Sequence, residues 1–272
     1  MVVRAQRVLA DGLPAIVRYD TTTENDLVWG VGLGCHGVVH VLIEKLVSPS
    51  AWVAALLENC RQRKATELAV VWEGPKGTRL GTCLAGDLPP LPTGKILRQT
   101  IPPPIELLIF GAGDDVQPLV RSAKGLGWQV TVVDSRPAYA TPQRFPEADA
   151  TLVSRPEEIP ARLFLDRGTL AVIMTHHYRH DLPLLRQLLP RPLAYLGLLG
   201  PKQRAEKILA TLATEGFAIT PGMRSRLHAP VGLDLGAESP AEIALSILAE
   251  MQAVLAGREG RPLRERTDPI HG

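Results

Sequence analysis

The chain has 272 residues, 45% of them apolar and 21% charged, which suits a water-soluble globular protein with room for more than one domain. Its formal charge of +2 and 4% aromatic content supply neither the basic field nor the stacking surface that nucleic acid or an anionic membrane would need. Three widely spaced cysteines, Cys35, Cys60 and Cys83, make no disulfide framework and point to a reducing cytoplasm.

In chain order, "PAIVRYD" and "LVWGVGL" read as short strands separated by the polar turn "TTTEN". "VVHVLIEKL" is a third strand, entered through "GLGCHG". "SPSAWVAALLENCRQRK" predicts a helix with Ser48 as cap and Pro49 at its first position, and "TELAVVWEG" and "TRLGTCLAG" read as strands. The segment Gly86 to Glu106 holds six prolines, which predicts an extended linker rather than a packed element. These features divide the chain into an N-terminal α+β domain (1–88), a proline-rich linker (89–104), a C-terminal domain (105–257) and a flexible tail (258–272).

Beyond the linker the pattern alternates. "IELLIF", "WQVTVVD", "DATLV", "TLAVIMT" and "LAYLGLLG" read as buried strands. Helices are predicted from about Asp115 to Leu126, in "LPLLRQLL" and in "PKQRAEKILATLATEG", which Gly216 stops. Buried strands alternating with helices imply an α/β, Rossmann-like fold: a mostly parallel sheet with helices on both faces. The last helix carries the strongest local signal. Ser239 as N-cap, Pro240 at the first helical position and Glu242 three residues after the cap form a capping box.

Five constellations are candidates for chemistry. In "FGAGDDVQPL", Gly111 and Gly113 follow a strand and precede a helix, as in a phosphate-binding turn. Asp134, closing the next strand, is placed to meet a ribose hydroxyl. The third glycine of that fingerprint is missing, and Asp114 and Asp115 stand where the anion would arrive. The alternatives are a bound mono- or dinucleotide and a plain helix capped by the two aspartates. In "GLGCHGVVH", glycines bracket Cys35 and His36. Either the loop exposes a soft thiolate ligand or it is a tight turn with an incidental cysteine. "THHYRHD" places His176, His177, His180 and Asp181 just after a strand, where they either face a ligand or cap the next helix. Lys202 and Arg204 sit at a helix start that the dipole makes unfavourable for cations, so they either bind an anion or form a solvated face. Finally, "LHAPVGLDLGAESP" gathers His228, Asp234 and Glu238 in one long loop.

From about Gly30 to Ala253 the sequence resembles the XdhC/CoxI family, accessory proteins of xanthine dehydrogenase and related molybdenum hydroxylases. The resemblance lies in the glycine-cysteine loop, "FGAG…QPL", "VTVVDSRP", "RFPEAD", "TH…D", "YLGLLGPKQR" and "HAPVGLDLGAESPAEIALSILAEM". It implies a small N-terminal domain joined to a Rossmann-like one, and a cofactor-binding chaperone without turnover of its own. The chaperone would bind molybdenum cofactor (molybdopterin) and assist its sulfuration or insertion into a client hydroxylase, with a cysteine desulfurase as a further partner. On that resemblance Cys35 would hold the molybdenum or protect its sulfide, the Gly111–Gly113 turn would take the pterin phosphate, and Lys202 and Arg204 would neutralise remaining charge. His36, Asp134, His176 and His228 complete the expected binding set. His36 stands where the family has a glycine, and the family's Ser-Ala-Pro-Arg motif has no counterpart in this sequence, so part of the small domain's site is expected to be missing. The competing expectation is an NAD(P)-binding oxidoreductase on the same sheet. A homodimer is expected from base rates alone.

Overall fold

The computed structural model describes residues 1–20, 37–48, 50–91, 93–159, 161 and 163–267. Cys35, His36 and the expected strand "LVWGVGL" lie outside the described residues. The chain forms two compact units, Met1–Pro103 and Pro104–Gly272.

In the first unit, helix α1 (Val2–Asp11) precedes an antiparallel pair, β1 (Ala15–Asp20) and β2 (Val38–Ile43). Helix α2 (Ala51–Arg61) is followed by β3 (Thr66–Glu73) and β4 (Gly81–Leu84). The α2 N-cap is Ser50, which corrects the expected Ser48: the first helical residue is Ala51. A second correction concerns the expected linker. Its middle is strand β5 (Lys95–Ile101), which pairs antiparallel with β3 and completes the sheet β4-β3-β5. The prolines flank this run without entering it, so every residue of the strand keeps its backbone donor. Cys60 and Cys83 are half-buried free thiols. Burial pushes the Cys83 thiol up, and its sulfur lies 3.6 Å from the Ala69 carbonyl.

The second unit is a six-stranded sheet flanked by helices. Its strands are β6 (Glu106–Phe110), β7 (Gln129–Asp134), β8 (Ala150–Val153), β9 (Thr169–Ile173), β10 (Tyr195–Leu198) and β11 (Leu227–His228). The spatial order is β11-β10-β9-β6-β7-β8, and each neighbouring pair is parallel. Numbered from β6, this is the 3-2-1-4-5-6 order of the doubly wound dinucleotide fold, with the switch point between β6 and β9. Strands β6 and β9 are buried along their whole length, because both sheet faces are covered.

On one face, α3 (Val116–Gly125) and α7 (Pro240–Leu255) bury Leu119, Val120, Ile247 and Met251 against Leu107, Ile109 and Val172. On the other, α4 (Tyr178–Leu188) and α5 (Lys202–Thr214) pack Leu185, Leu188, Ile208 and Leu212 against Leu108, Ala171 and Ile173. The α7 capping box forms as expected, with Ser239 and Glu242 bonded reciprocally. The short α6 (Pro221–Ser225) and the two-residue β11 are absent from the sequence reading, and α4 extends further than expected, carrying Pro183 inside it. No helix among the described residues is long and apolar enough to cross a membrane.

Candidate functional site

The switch point is formed by the turns that leave β6 and β9. Strand pairing continues past the strand ends: Gly111 N–H donates to the Val133 carbonyl at 2.8 Å, and Met174 N–H to the Phe110 carbonyl at 2.7 Å. Gly111 has φ 122°, and a Cβ there would lie 2.4 Å from the Met174 carbonyl oxygen. Only glycine satisfies both conditions. A Cβ on Gly113 would lie 2.4 Å from Oδ1 of Asp115, so this glycine makes room for the protein's own carboxylate.

The two aspartates that follow do not cap α3. Asp115 occupies the N-cap position without a side-chain cap bond. Its Oδ2 lies 2.7 Å from Nε2 of His176, whose backbone is left-handed at φ 57°. The carboxylate raises the histidine's pKa, and burial opposes that only in part. Asp114 accepts from Nη2 of Arg144 at 2.6 Å. The two carboxylates at the glycine turn therefore pair with Arg144 and His176 from distant loops, and the expected helix-capping role is corrected to cross-crest pairing. These contacts join residues far apart in sequence, which is why periodicity could not reveal them.

Asp134 ends β7 beside the turn with 8% of its surface exposed. Its Oδ1 accepts from the N–H and Nε of Arg136, both at 2.9 Å. Its Oδ2 accepts from the Ala112 N–H and from Nη2 of Arg136, both at 2.8 Å. Burial alone would raise this carboxyl's pKa, but Arg136 and the two backbone donors bring it below the ordinary value. The guanidinium of Arg136 stacks 3.8 Å from the centroid of Tyr139, with Arg144 also near that ring at 4.9 Å. Sequence reasoning missed Arg136, Tyr139 and Arg144. The signal for Arg136 lay in view in "VTVVDSRP", where a basic residue follows the strand-ending acid, and Arg144 opens "RFPEAD".

A cavity of about 230 Å³ opens beside these residues. Phe110, Val133 and Leu184 form its apolar wall, while Ser135, Arg136, Ser154 and Arg155 bring polar groups to it. His177 and His180 also line it, their rings 4.8 Å apart. Of the expected residues, Gly111 and Asp134 border this cavity, and Gly113 and His176 belong to the turns around it. Among the described residues no three His, Cys, Asp or Glu side chains are grouped to hold a metal ion.

Arg204 serves a different partner from the one expected. Its Nη1 lies 3.4 Å from Oδ2 of the fully buried Asp181, and its guanidinium lies where a Cβ on Gly200 would be. Asp181 also accepts from the Thr175 hydroxyl at 2.5 Å. Burial raises this carboxyl's pKa despite both donors. Lys202 is exposed, and Glu206, 3.9 Å away, is its only ion-pair partner among the described residues. His228 sits on β11, two strands from the switch point, and is held by its own network. Its Nδ1 lies 3.1 Å from Oε1 of Glu250, its ring stacks on Tyr195, and Glu250 also accepts from the Tyr195 hydroxyl and the Gly232 N–H. Burial pushes the Tyr195 hydroxyl up. Glu250 is lowered, its donors outweighing its burial. The structure gives His228 a fixed orientation on α7 and does not bring it to the cavity lining.

A six-stranded parallel sheet in this order, with a glycine turn and an acid-ended second strand at its crest, defines a Rossmann domain. More particularly, the chain belongs to the XdhC family: the family described as the XdhC Rossmann domain matches residues 107–251. The chain is 32% identical over 269 residues to a probable xanthine dehydrogenase subunit of Bacillus subtilis strain 168, covering 90% of this chain and 79% of the relative. It is 24% identical over 261 residues to the molybdenum cofactor insertion chaperone PaoD of Escherichia coli K12, covering 94% and 70% of the two chains. A crystal structure described as a xanthine dehydrogenase from Bacillus halodurans superposes with a TM-score of 0.74 at 28% identity, covering 94% of this chain and 80% of that one.

Proposed function

We propose that the protein is a maturation factor that binds molybdenum cofactor and delivers it to a xanthine dehydrogenase-type molybdenum hydroxylase. The observation that carries this reading is the match to a molybdenum cofactor insertion chaperone along 94% of the chain. The crest site is compatible with the group. Pockets for drug-sized ligands run to about 300–1,000 Å³, so a cavity of about 230 Å³ would enclose part of such a cofactor. The donors of Arg136 and Ser135 suit the pterin's phosphate, and the apolar wall of Phe110, Val133 and Leu184 suits its ring. When bound, the cofactor supplies a dithiolene-held metal. Cys35 is the proposed soft ligand to that metal, on the strength of thiolate chemistry and the family resemblance. Assistance with sulfuration, and a cysteine desulfurase as the sulfur source, belong to the same proposal.

The test is anaerobic titration of the protein with molybdopterin. Binding should weaken in Cys35→Ser, and unchanged affinity in that variant would remove Cys35 from the reading. The competing reading, an NAD(P)-dependent oxidoreductase, draws support from the strand order, the Gly111–Gly113 turn and the strand-ending Asp134. Against it stand two carboxylates at the phosphate turn and an Asp134 already occupied by protein donors. Nicotinamide turnover by the purified protein would promote it.

A further inference from the structure

We propose that Arg136, and not Asp134, is the ligand-contacting residue at the β7 crest, and that it recognises a phosphomonoester rather than a free ribose diol. A carboxylate offers about four acceptor positions, and all of those on Asp134 are taken: two by Arg136 at Oδ1, and one each by Ala112 and Arg136 at Oδ2. Its side chain is 6% exposed. A diol would have to displace the arginine to reach it. The Arg136 side chain is half exposed, and the residue lines the cavity. Asp134 on one edge and the Tyr139 ring on one face fix the plane of its guanidinium. Its Nη1 has no acceptor among the described residues. A planar donor held in place with an open edge suits two oxygens of a phosphate.

The Ser135 side chain lines the same cavity. Arg155 and Glu158, both exposed, also stand at its rim, and Arg136 is the lining cation whose plane its neighbours fix. At the glycine turn, by contrast, Asp114 and Asp115 oppose a phosphate, so the anion position moves from α3 to the β7 crest. The chemistry fits two sources, the phosphate of a pterin cofactor and the 2′-phosphate of NADP. The first rests on the function proposed above; the second does not.

The experiment is calorimetric titration of the full-length protein with molybdopterin, NADP⁺ and NAD⁺, with inorganic phosphate as competitor. It compares wild type with Arg136→Lys and with the double variant Asp134→Asn/Arg136→Gln, which removes both charges and leaves no buried carboxylate unpaired. A phosphomonoester ligand should bind, inorganic phosphate should compete with it, and both variants should lose about 10- to 100-fold in affinity with NAD⁺ the weakest ligand throughout. Unchanged affinity in a variant whose melting temperature is retained would overturn the proposal. So would NAD⁺ binding as well as NADP⁺. If neither variant folds, the wild-type competition decides, and failure of phosphate to compete overturns it. Molybdopterin binding that ignores Arg136 would sink this inference and leave the proposed function standing. Arg136-dependent binding of NADP⁺ alone would do the reverse.

Discussion

Replacing Gly111 with alanine should unfold the crest of the sheet before it affects anything else. At φ 122° an L side chain is strained, at a cost of about 1–3 kcal/mol. The new methyl would also lie 2.4 Å from the Met174 carbonyl oxygen and 2.6 Å from its carbon. Both are backbone atoms, so no rotamer change relieves the clash. The crests of β6 and β9 must part, and the Met174 N–H bond to Phe110 is the first to break. A buried donor left unsatisfied adds about 1–3 kcal/mol. The sum is about 2–6 kcal/mol, which at about 2–4 °C per kcal/mol for a unit of this size predicts a melting temperature lower by about 10 °C. Thermal unfolding followed by circular dichroism reads this directly. Gly125→Ala is the control: Gly125 lies in α3 with open space around its missing Cβ, and the change should stabilise by up to about 1 kcal/mol. A Gly111→Ala protein melting within about 2 °C of wild type would refute the reasoning.

Other expectations follow the same logic. Ser239→Ala removes one arm of the α7 capping box and should cost about 1 kcal/mol in denaturant unfolding, with an unchanged m-value. Asp134 is held below its ordinary value, so its contribution to stability is present above about pH 4 and is lost as pH falls through the lower, folded-state value. Asp134→Asn should therefore lose stability relative to wild type at pH 7 and converge with it in acid. Asp181 is shifted the other way, so its ionisation destabilises the fold as pH rises. Unfolding titrations of Asp181→Asn should show the variant gaining on wild type as pH rises from about 4 through the raised folded-state value, and a constant difference would contradict the assignment.

Much of the second unit is legible in the sequence, because strands β6 to β10 are mainly apolar runs and the longer helices have a distinct stripe or cap, whereas the two-residue β11 and the short α6 carry too little signal. The order of the strands is not, since pairing depends on crossovers that leave no local trace, but the glycine turn and Asp134 mark the first two correctly. The first unit is harder to read. Its prolines hide β5, although the seven residues from Lys95 to Ile101 contain none. Helix α1 is short and amphipathic, and its only buried residue is Val8, too little apolar signal to announce itself. At the site, residue types are legible and their partners are not. Asp115 meets His176, and Arg204 meets Asp181, across loops that only the tertiary fold brings together. Arg136 is easily overlooked beside an acid of the kind that binds ribose, and here it is the arginine that occupies that acid.

Whether this chain carries a molybdenum cofactor is tested most directly by mass spectrometry of the small molecules released from protein purified gently and anaerobically. The predicted result is molybdopterin or its metal-loaded form in stoichiometric association with the chain. Release of a nicotinamide nucleotide, with no pterin detected, would contradict it.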